Sequence, residues 1–178
     1  IDFGYRMPAV GWFQIYRVGG IWHINMIDEL IHKTNVKTDT LAEILLSKKY
    51  NVTRYYGDPA GMQAQGQSGL GDIEILRRKG IQVHTKRDKV SRSIASGISH
   101  LRGFIENAAG ERFFHVDEKC TQIMKDLENY RYPEPKEGSD LKPEPVKDGY
   151  HDHGCDMIRY FFINQFPIKN REFKVRTR

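Results

Sequence analysis

Two long apolar stretches near the start of the chain predict a β-hairpin. Residues Ala9–Val18 and Ile21–Ile31 are rich in β-branched and aromatic side chains, and the pair Gly19-Gly20 separates them. Two glycines between such stretches are typical of a tight turn, since the primed hairpin turns need positive φ angles there. We expect Ile1–Tyr5 to lead into the first strand of this hairpin.

The hydrophobic period changes after the hairpin. In Lys37–Lys49 the apolar positions, among them Leu41 and Leu45, fall on one helical face, and Thr38 or Asp39 is a candidate N-cap. This segment therefore predicts the first helix.

Short strand patterns and helical patterns then alternate to the end of the chain. The predicted strands are Val52–Tyr56, Ile81–His84 and Arg112–Val116, and the predicted helices are Asp72–Lys79, Val90–Ile105, Glu118–Glu128 and Asp152–Gln165. Such alternation is typical of an α/β layer architecture. Between the last two helices, residues Tyr130–Gly149 contain four prolines and many charges, which predicts a surface loop of the kind that often covers a site.

Length and charge define one domain with a basic tail. A chain of 178 residues with 39% hydrophobic residues can form one core but is short for two. We assign residues 1–166 to one domain and residues 167–178 to a basic C-terminal tail, in which five basic residues face Glu172 alone. The formal net charge is +5, and a second basic stretch contains Lys86, Arg87, Lys89 and Arg92. A polyanionic partner would explain both stretches, whereas a solvated tail and a solvated helix start would explain them equally simply.

Cysteine usage and hydropathy indicate the compartment. Cys120 and Cys155 lie far apart without CxxC spacing, which indicates free thiols in a reducing environment such as the cytosol. No apolar run approaches the roughly 18 residues of a membrane span, and no basic-then-apolar leader is present. We expect one domain of a larger protein that does not contact the membrane.

Carboxylates occupy the ends of several predicted elements. Asp2 lies at the end of the first strand segment, Asp58 follows Val52–Tyr56 in Gly57-Asp58-Pro59, and Asp152 and Asp156 share one face of the last helix. If they converge, their oxygens form a site for hard divalent cations, which can drive phosphodiester hydrolysis. The simpler interpretation makes Asp152 a helix N-cap, Asp156 an exposed polar residue, and the other two turn formers.

The order of these motifs resembles the C-terminal nuclease domain of the large terminase subunit of tailed bacteriophages. The resemblance extends over nearly the whole chain, from Ile1-Asp2-Phe3-Gly4 through Tyr56-Gly57-Asp58-Pro59-Ala60 to the last helix. Its most specific part is Asp152-His153-Gly154-Cys155-Asp156-Met157-Ile158-Arg159-Tyr160, where the family usually shows Asp-His-x-x-Asp-Ala-x-Arg-Tyr. Met157 replaces the usual alanine.

The resemblance implies an RNase H-like fold, with a central mixed β-sheet flanked by α-helices, and an endonuclease that cuts concatemeric viral DNA during genome packaging. It implies Asp2, Asp58 and Asp156 as catalytic metal ligands. Asp152 and His153 are then accessory positions, and each is either a further ligand or a group that orients Asp156. The cofactors would be two Mg²⁺ or Mn²⁺ ions about 3.5 to 4 Å apart, bridged by Asp2.

The resemblance also implies partners. Double-stranded DNA would be the substrate, with Lys86, Arg87, Lys89 and Arg92 on its backbone. The packaging ATPase domain of the same polypeptide, the portal and the small terminase subunit would be further partners, and no GxxxxGK[ST] loop for ATP occurs in this sequence. The location would be the host cytoplasm, transiently at the prohead portal.

Three other interpretations compete with this one. Other RNase H-like nucleases, such as integrases and resolvases, use similar carboxylates. The domain could instead serve as a DNA grip or as a docking module for the portal or motor, with weak or gated cleavage. A zinc site at His151, His153 and Cys155 is the least favoured, because a helix does not bring alternate residues to one face.

Overall fold

The computed structural model describes residues 1–4, 6–64, 69–134 and 144–168. In chain order its strands are β1 (Val10–Val18), β2 (Ile21–Leu30), β3 (Tyr55–Tyr56), β4 (Val83–His84) and β5 (Phe114–Val116). Its α-helices are α1 (Thr38–Ser47), α2 (Asp72–Arg78), α3 (Lys89–Arg92), α4 (Ile94–Ile105), α5 (Thr121–Asn129) and α6 (His151–Gln165), and Pro59–Met62 forms a 3₁₀ helix.

The hairpin predicted from the apolar stretches is confirmed. β1 and β2 pair antiparallel from Val10 opposite Leu30 to Val18 opposite Ile21. Gly19 and Gly20 have φ angles of 58° and 84°, a left-handed conformation that glycine adopts without a steric penalty. The turn therefore follows directly from the two glycines.

The strands form a mixed arrangement. β5 pairs parallel to β2, and β3 pairs parallel to β4. Ile1 and Asp2 connect the two sets of strands: Asp2 exchanges both backbone hydrogen bonds with Ala9, while Ile1 bonds to the backbone of Tyr56 and Asp58. Beyond this connection, β1 and residues 49–56 are separated by a groove of about 750 Å³.

Helices cover both faces of the sheet. On one face Ile24 and Met26 of β2 pack against α4, α5 and α6, with Phe162 fully buried at the centre. On the other face Trp12 packs in a second cluster with Leu41 and further apolar residues of α1 and α2. Burying each such side chain contributes about 1.5 to 3 kcal/mol, so strands with two apolar faces require helices on both sides.

The helix α6 runs through the first of these clusters, and two glycines of other elements make room for its side chains. A Cβ atom at Gly11 would lie 2.9 Å from Met157 Sδ, and one at Gly97 would lie 2.7 Å from the Arg159 stem. Met157 is fully buried. A methionine therefore fits where the family usually shows alanine because β1 offers no side chain at Gly11.

Several boundaries differ from the sequence-based expectation. The predicted strand Val52–Tyr56 is reduced to two residues, and the predicted helix Val90–Ile105 breaks at Ser93, whose Oγ accepts a hydrogen bond from Ser96 N–H at 3.2 Å. Neither Thr38 nor Asp39 caps α1, because the N-cap position is Lys37. Residues 135–143 of the predicted surface loop and residues 169–178 of the predicted tail lie outside the described part of the chain.

The hydropathy expectation can also be compared with the helices. Of the helices in the described residues, none is both long enough and apolar enough to cross a membrane.

Candidate active site

Asp2 and Asp58 are neighbours because their backbones are directly connected. The N–H of Asp58 donates to the carbonyl of Ile1 at 3.0 Å, and the Ile1 nitrogen donates to the carbonyl of Tyr56 at 2.7 Å. Asp58 also caps the 3₁₀ helix, since its Oδ1 accepts the Ala60 N–H at 2.9 Å. The first two predicted ligands therefore lie at one edge of the sheet, as the sequence predicts.

The first turn of α6 is attached to Asp2 by His153. His153 Nδ1 lies 2.7 Å from Asp2 Oδ2, although the two residues are 151 positions apart in the sequence. The imidazole fits there because Gly4 has no side chain: a Cβ atom at Gly4 would lie 2.8 Å from His153 Cε1. His153 therefore contacts Asp2, whereas the sequence-based expectation names Asp156 as its partner, and its role at the metal stays a prediction.

Asp156 is held by two basic side chains. Arg159 donates to Asp156 Oδ1 from Nε at 3.1 Å and from Nη2 at 2.9 Å. Lys147 Nζ donates to Asp156 Oδ2 at 2.9 Å. Asp156 is only 4% exposed, which contradicts the interpretation of an exposed polar residue.

Burial, neighbouring carboxylates and a hydrogen bond all shift the pKa of Asp2. Burial raises the pKa of Asp2, and the negative charges of Asp156 and Asp58 raise it further, while the hydrogen bond from His153 opposes both effects. The same hydrogen bond raises the pKa of His153 against the effect of its own burial. Without a cation, repulsion between such carboxylates favours the protonated form of one of them.

Asp152 is buried but does not cap the helix. The N-cap position is Tyr150, and Asp148 Oδ1 accepts the N–H groups of Tyr150 and His151 at 2.9 and 2.8 Å. The expectation of Asp152 as N-cap is therefore wrong. Its side chain is nevertheless buried, at 6% exposure, and within the described residues its Oδ1 has no hydrogen-bond partner.

This chemistry fits a hard divalent cation. The four aspartates offer oxygen ligands, which Mg²⁺ and Mn²⁺ prefer, and a buried carboxylate oxygen without a donor is costly unless a cation satisfies it. As the side chains stand, no cluster of three or more His, Cys, Asp or Glu within the described residues is arranged to hold an ion. Asp2 faces His153, and Asp156 faces Arg159 and Lys147, so the ligand set stays a prediction.

Two of the four predicted DNA-binding residues, Lys86 and Arg87, lie at the same edge of the sheet. Tyr56 and His84 pair with each other in parallel strands. Asp58 lies two residues after Tyr56, and Lys86 lies two residues after His84. Arg87 contacts Met62 Sδ in the 3₁₀ helix that Asp58 caps. Lys89 and Arg92 belong to α3, and both are exposed.

The zinc interpretation is not supported. His151 Nδ1 lies 2.7 Å from Asp148 Oδ2, and His153 faces Asp2. Cys155 is buried, which raises the pKa of its thiol and disfavours the thiolate that zinc requires.

Two residues beside the candidate site, Lys147 and Gly4, have contacts that the sequence does not predict. Lys147 lies in the proline-rich segment that predicts only a surface loop, and Gly4 lies in a motif noted for Asp2. No periodicity connects either residue to α6. A basic residue shortly before the acidic helix is the one signal that could have indicated Lys147.

Comparison with known families identifies the class of protein. A family model described as the terminase RNaseH-like domain matches residues 14–165, which is most of the chain. The chain therefore belongs to the family of terminase RNaseH-like domains, and the resemblance seen in the motifs is confirmed. The matched range includes Asp58, Asp152 and Asp156, whereas Asp2 lies before it.

A solved structure agrees with the fold. The nuclease domain of the large terminase, g2p, of bacteriophage SPP1, crystallised with bound Mn, superposes with a TM-score of 0.61 at 21% sequence identity. The match covers 92% of this chain and 83% of the SPP1 chain. The fold is thus RNase H-like, as the motifs predict. The search of curated proteins gives no match.

Proposed function

We propose that this domain is a divalent-metal-dependent endodeoxyribonuclease that cuts concatemeric viral DNA during genome packaging. The observation that carries the proposal is the meeting of Asp2, Asp58 and the first turns of α6 at one edge of the sheet. Oxygen donors from separate segments are typical of sites that hold Mg²⁺ or Mn²⁺ for phosphodiester hydrolysis. Membership of the terminase family supports the same reaction.

In this proposal Asp2, Asp58 and Asp156 hold the metal, and Asp152 is a further ligand through its partnerless Oδ1. Two divalent ions bound there would supply Lewis-acid activation of water and neutralisation of charge on the phosphate. The SPP1 nuclease domain was solved with bound Mn. This supports a metal of the class of Mg²⁺ and Mn²⁺ rather than a softer metal.

The remaining residues orient the ligands and hold the substrate. His153 fixes the rotamer of Asp2, and Arg159 fixes that of Asp156 through two hydrogen bonds. Lys86, Arg87, Lys89 and Arg92 would contact the phosphates of double-stranded DNA without reading its sequence.

The proposal extends to domain organisation and partners. Residues 1–166 form the nuclease, and the basic tail 167–178 follows it. The packaging ATPase domain of the same polypeptide, the portal and the small terminase subunit are the partners, and the location is the host cytoplasm with transient binding at the prohead portal. Terminase family membership supports these assignments.

Plasmid cleavage with Mn²⁺ tests the reaction. We expect Asp58→Asn and Asp156→Asn each to reduce cleavage by at least about a hundredfold, because each removes a negative charge from the metal site. Asparagine keeps an acceptor for Ala60 N–H at position 58 and for Arg159 at position 156, so the fold should be retained. Gel analysis of nicked and linear plasmid measures the effect.

Asp39→Asn is the matched control, since Asp39 is 65% exposed and pairs only loosely with Lys79 at 3.3 Å. It should cleave like the wild type. The alternative of a DNA-binding module without cleavage would be favoured if Asp58→Asn cleaved normally while Lys86→Ala and Arg87→Ala lost DNA retention.

A further inference from the structure

The two basic partners of Asp156, Lys147 and Arg159, differ in exposure and in the number of hydrogen bonds that they donate to it. The Arg159 side chain is 4% exposed, and it holds Oδ1 with two hydrogen bonds. The Lys147 side chain is 52% exposed, and it holds Oδ2 with one. One basic partner of Asp156 is therefore fixed by packing, and the other can leave into solvent.

The backbone on both sides of Lys147 is held in place. Before it, Val146 N–H donates to the Arg131 carbonyl at 2.9 Å. After it, the Asp148 side chain accepts two N–H groups at the start of α6. Only the flexible four-carbon stem of Lys147 needs to move for the ammonium to leave Asp156.

A metal that uses Asp156 needs the oxygen that Lys147 occupies. Oδ1 already accepts two hydrogen bonds from a buried guanidinium, and removing these would leave the Arg159 charge buried without a partner, which is costly. Among the described residues, Lys147 is the one hydrogen-bond partner of Oδ2, and its side chain is half-exposed. A divalent ion and an ammonium at the same carboxylate oxygen would also repel one another.

We propose that Lys147 and the divalent cation compete for Asp156 Oδ2, so that Lys147 sets the metal concentration at which the site fills. The inference rests on the proposed function, since it assumes that Asp156 is a ligand. In the absence of the metal, the ammonium partly neutralises the carboxylate cluster, and Asp152 also attracts it.

Isothermal titration of Mn²⁺ into the protein, without DNA, tests the competition independently of cleavage. We expect Lys147→Ala and Lys147→Met to bind Mn²⁺ about three- to tenfold more tightly than the wild type, the range expected for losing one partly exposed charged hydrogen bond. Lys147→Arg should bind no more tightly than the wild type, because its guanidinium can hold a carboxylate with two hydrogen bonds.

Lys119→Ala is the matched control: it removes the same charge from an exposed position after β5, and it should leave the affinity within about twofold of the wild type. Lys147→Met keeps most of the stem and decides the result if thermal melting shows that Lys147→Ala is unfolded.

The outcomes separate this inference from the proposed function. Equal or weaker Mn²⁺ binding by Lys147→Met, with normal binding by the wild type and by Lys119→Ala, overturns the role of Lys147 alone. If none of the folded proteins binds Mn²⁺, the metal site itself is wrong, and the role of Lys147 falls with it. Tighter binding by Lys147→Met but not by Lys119→Ala supports the competition.

Discussion

At the scale of single residues, the contact between His153 and Asp2 depends on a glycine. A Cβ atom at Gly4 would lie 2.5 Å from the Met7 carbonyl oxygen and 2.8 Å from His153 Cε1. A methyl group at position 4 would therefore force the backbone between Gly4 and Met7 to shift and would also displace the imidazole. The hydrogen bond that orients Asp2 thus depends on the absence of a side chain at Gly4.

We therefore expect Gly4→Ala to separate His153 from Asp2. Because the hydrogen bond to Asp2 raises the pKa of His153, the pKa in the variant should fall towards the ordinary histidine value, which an NMR titration of the imidazole can follow. Cleavage of plasmid DNA should fall as well, and the free energy of unfolding should decrease by about 1 to 3 kcal/mol from overpacking.

Gly103→Ala is the control for this substitution. Gly103 lies inside α4, and a Cβ atom there meets nothing within 4 Å. Alanine should leave the His153 pKa unchanged and raise stability by up to about 1 kcal/mol through helix propensity. An unchanged His153 pKa in Gly4→Ala would show that the loop can accommodate a methyl group.

These residues also show how far the sequence predicts the site. Strand ends and helix faces are local properties, so the sequence predicts where Asp2, Asp58 and Asp156 lie in their elements, while their role as ligands follows from the family resemblance and stays a prediction. The partners of these carboxylates do not follow, since contacts such as His153 with Asp2 join positions 151 residues apart and depend on how α6 is placed over the sheet. The contacts that Lys147 and Gly4 make with the start of α6 are therefore established only by the three-dimensional structure.

At the scale of elements, the start of α6 is fixed by a buried ionisable pair on two other elements. His32, which follows β2, lies 2.9 Å from Asp126 of α5, and its ring stacks on Tyr150 at 3.7 Å. Asp126 is fully buried and approaches α6 so closely that a Cβ atom at Gly154 would lie 2.2 Å from its Oδ2. Gly154, the glycine of the family-like motif, thus allows α5 and α6 to pack closely.

This arrangement predicts a dependence of stability on pH. Burial raises the pKa of Asp126 from 3.8 to about 7, so the folded state keeps a proton that the unfolded state releases above about pH 4. The contribution of Asp126 to the free energy of unfolding should therefore fall as the pH rises from about 4 to 7 and level off above it. We expect a loss of at least about 1 kcal/mol over this window.

Urea denaturation of the wild type and of Asp126→Asn at several pH values measures this contribution. Asparagine has the same shape but cannot ionise. As the pH rises, the unfolding free energy of the wild type should therefore fall relative to that of Asp126→Asn. Burial lowers the pKa of His32, which works in the opposite direction, and both proteins retain that histidine. A difference that is constant from pH 4 to 8 would contradict the raised pKa.

Helices and strands are predicted well where their sequence signals are local and less well where tertiary contacts set their ends. The hairpin is predicted almost residue by residue because two glycines and an apolar pattern specify it locally. The short length of β3 and the break between α3 and α4 are not predicted, since the length of β3 is set by pairing with β4 and the break by the Ser93 cap. Local signals thus determine most elements, and tertiary pairing determines where they end.

At the scale of the whole molecule, charge and topology place the basic run beside the carboxylates. β3 and β4 are parallel, so Asp58 and Lys86, each two residues beyond its strand, leave the sheet at the same edge. A DNA backbone bound by Lys86 and Arg87 would therefore lie next to the proposed metal ligands. The net charge of +5 would attract DNA to the whole surface, and the position of the basic residues would decide where it binds.

The salt dependence of DNA binding distinguishes these two contributions. Each lost phosphate contact should reduce the slope of log K against log salt by about 0.9 for duplex DNA, so Lys86→Ala/Arg87→Ala should reduce it by about 2. Arg77→Ala/Arg78→Ala removes the same charge from the C-terminal end of α2, where both arginines pair with Glu74, and it should change the slope by less than half as much. Fluorescence anisotropy with a labelled duplex at several salt concentrations measures both slopes. Equal reductions in the two double variants would mean that DNA responds only to net charge, and the proposed position of the duplex beside Asp58 would then be wrong.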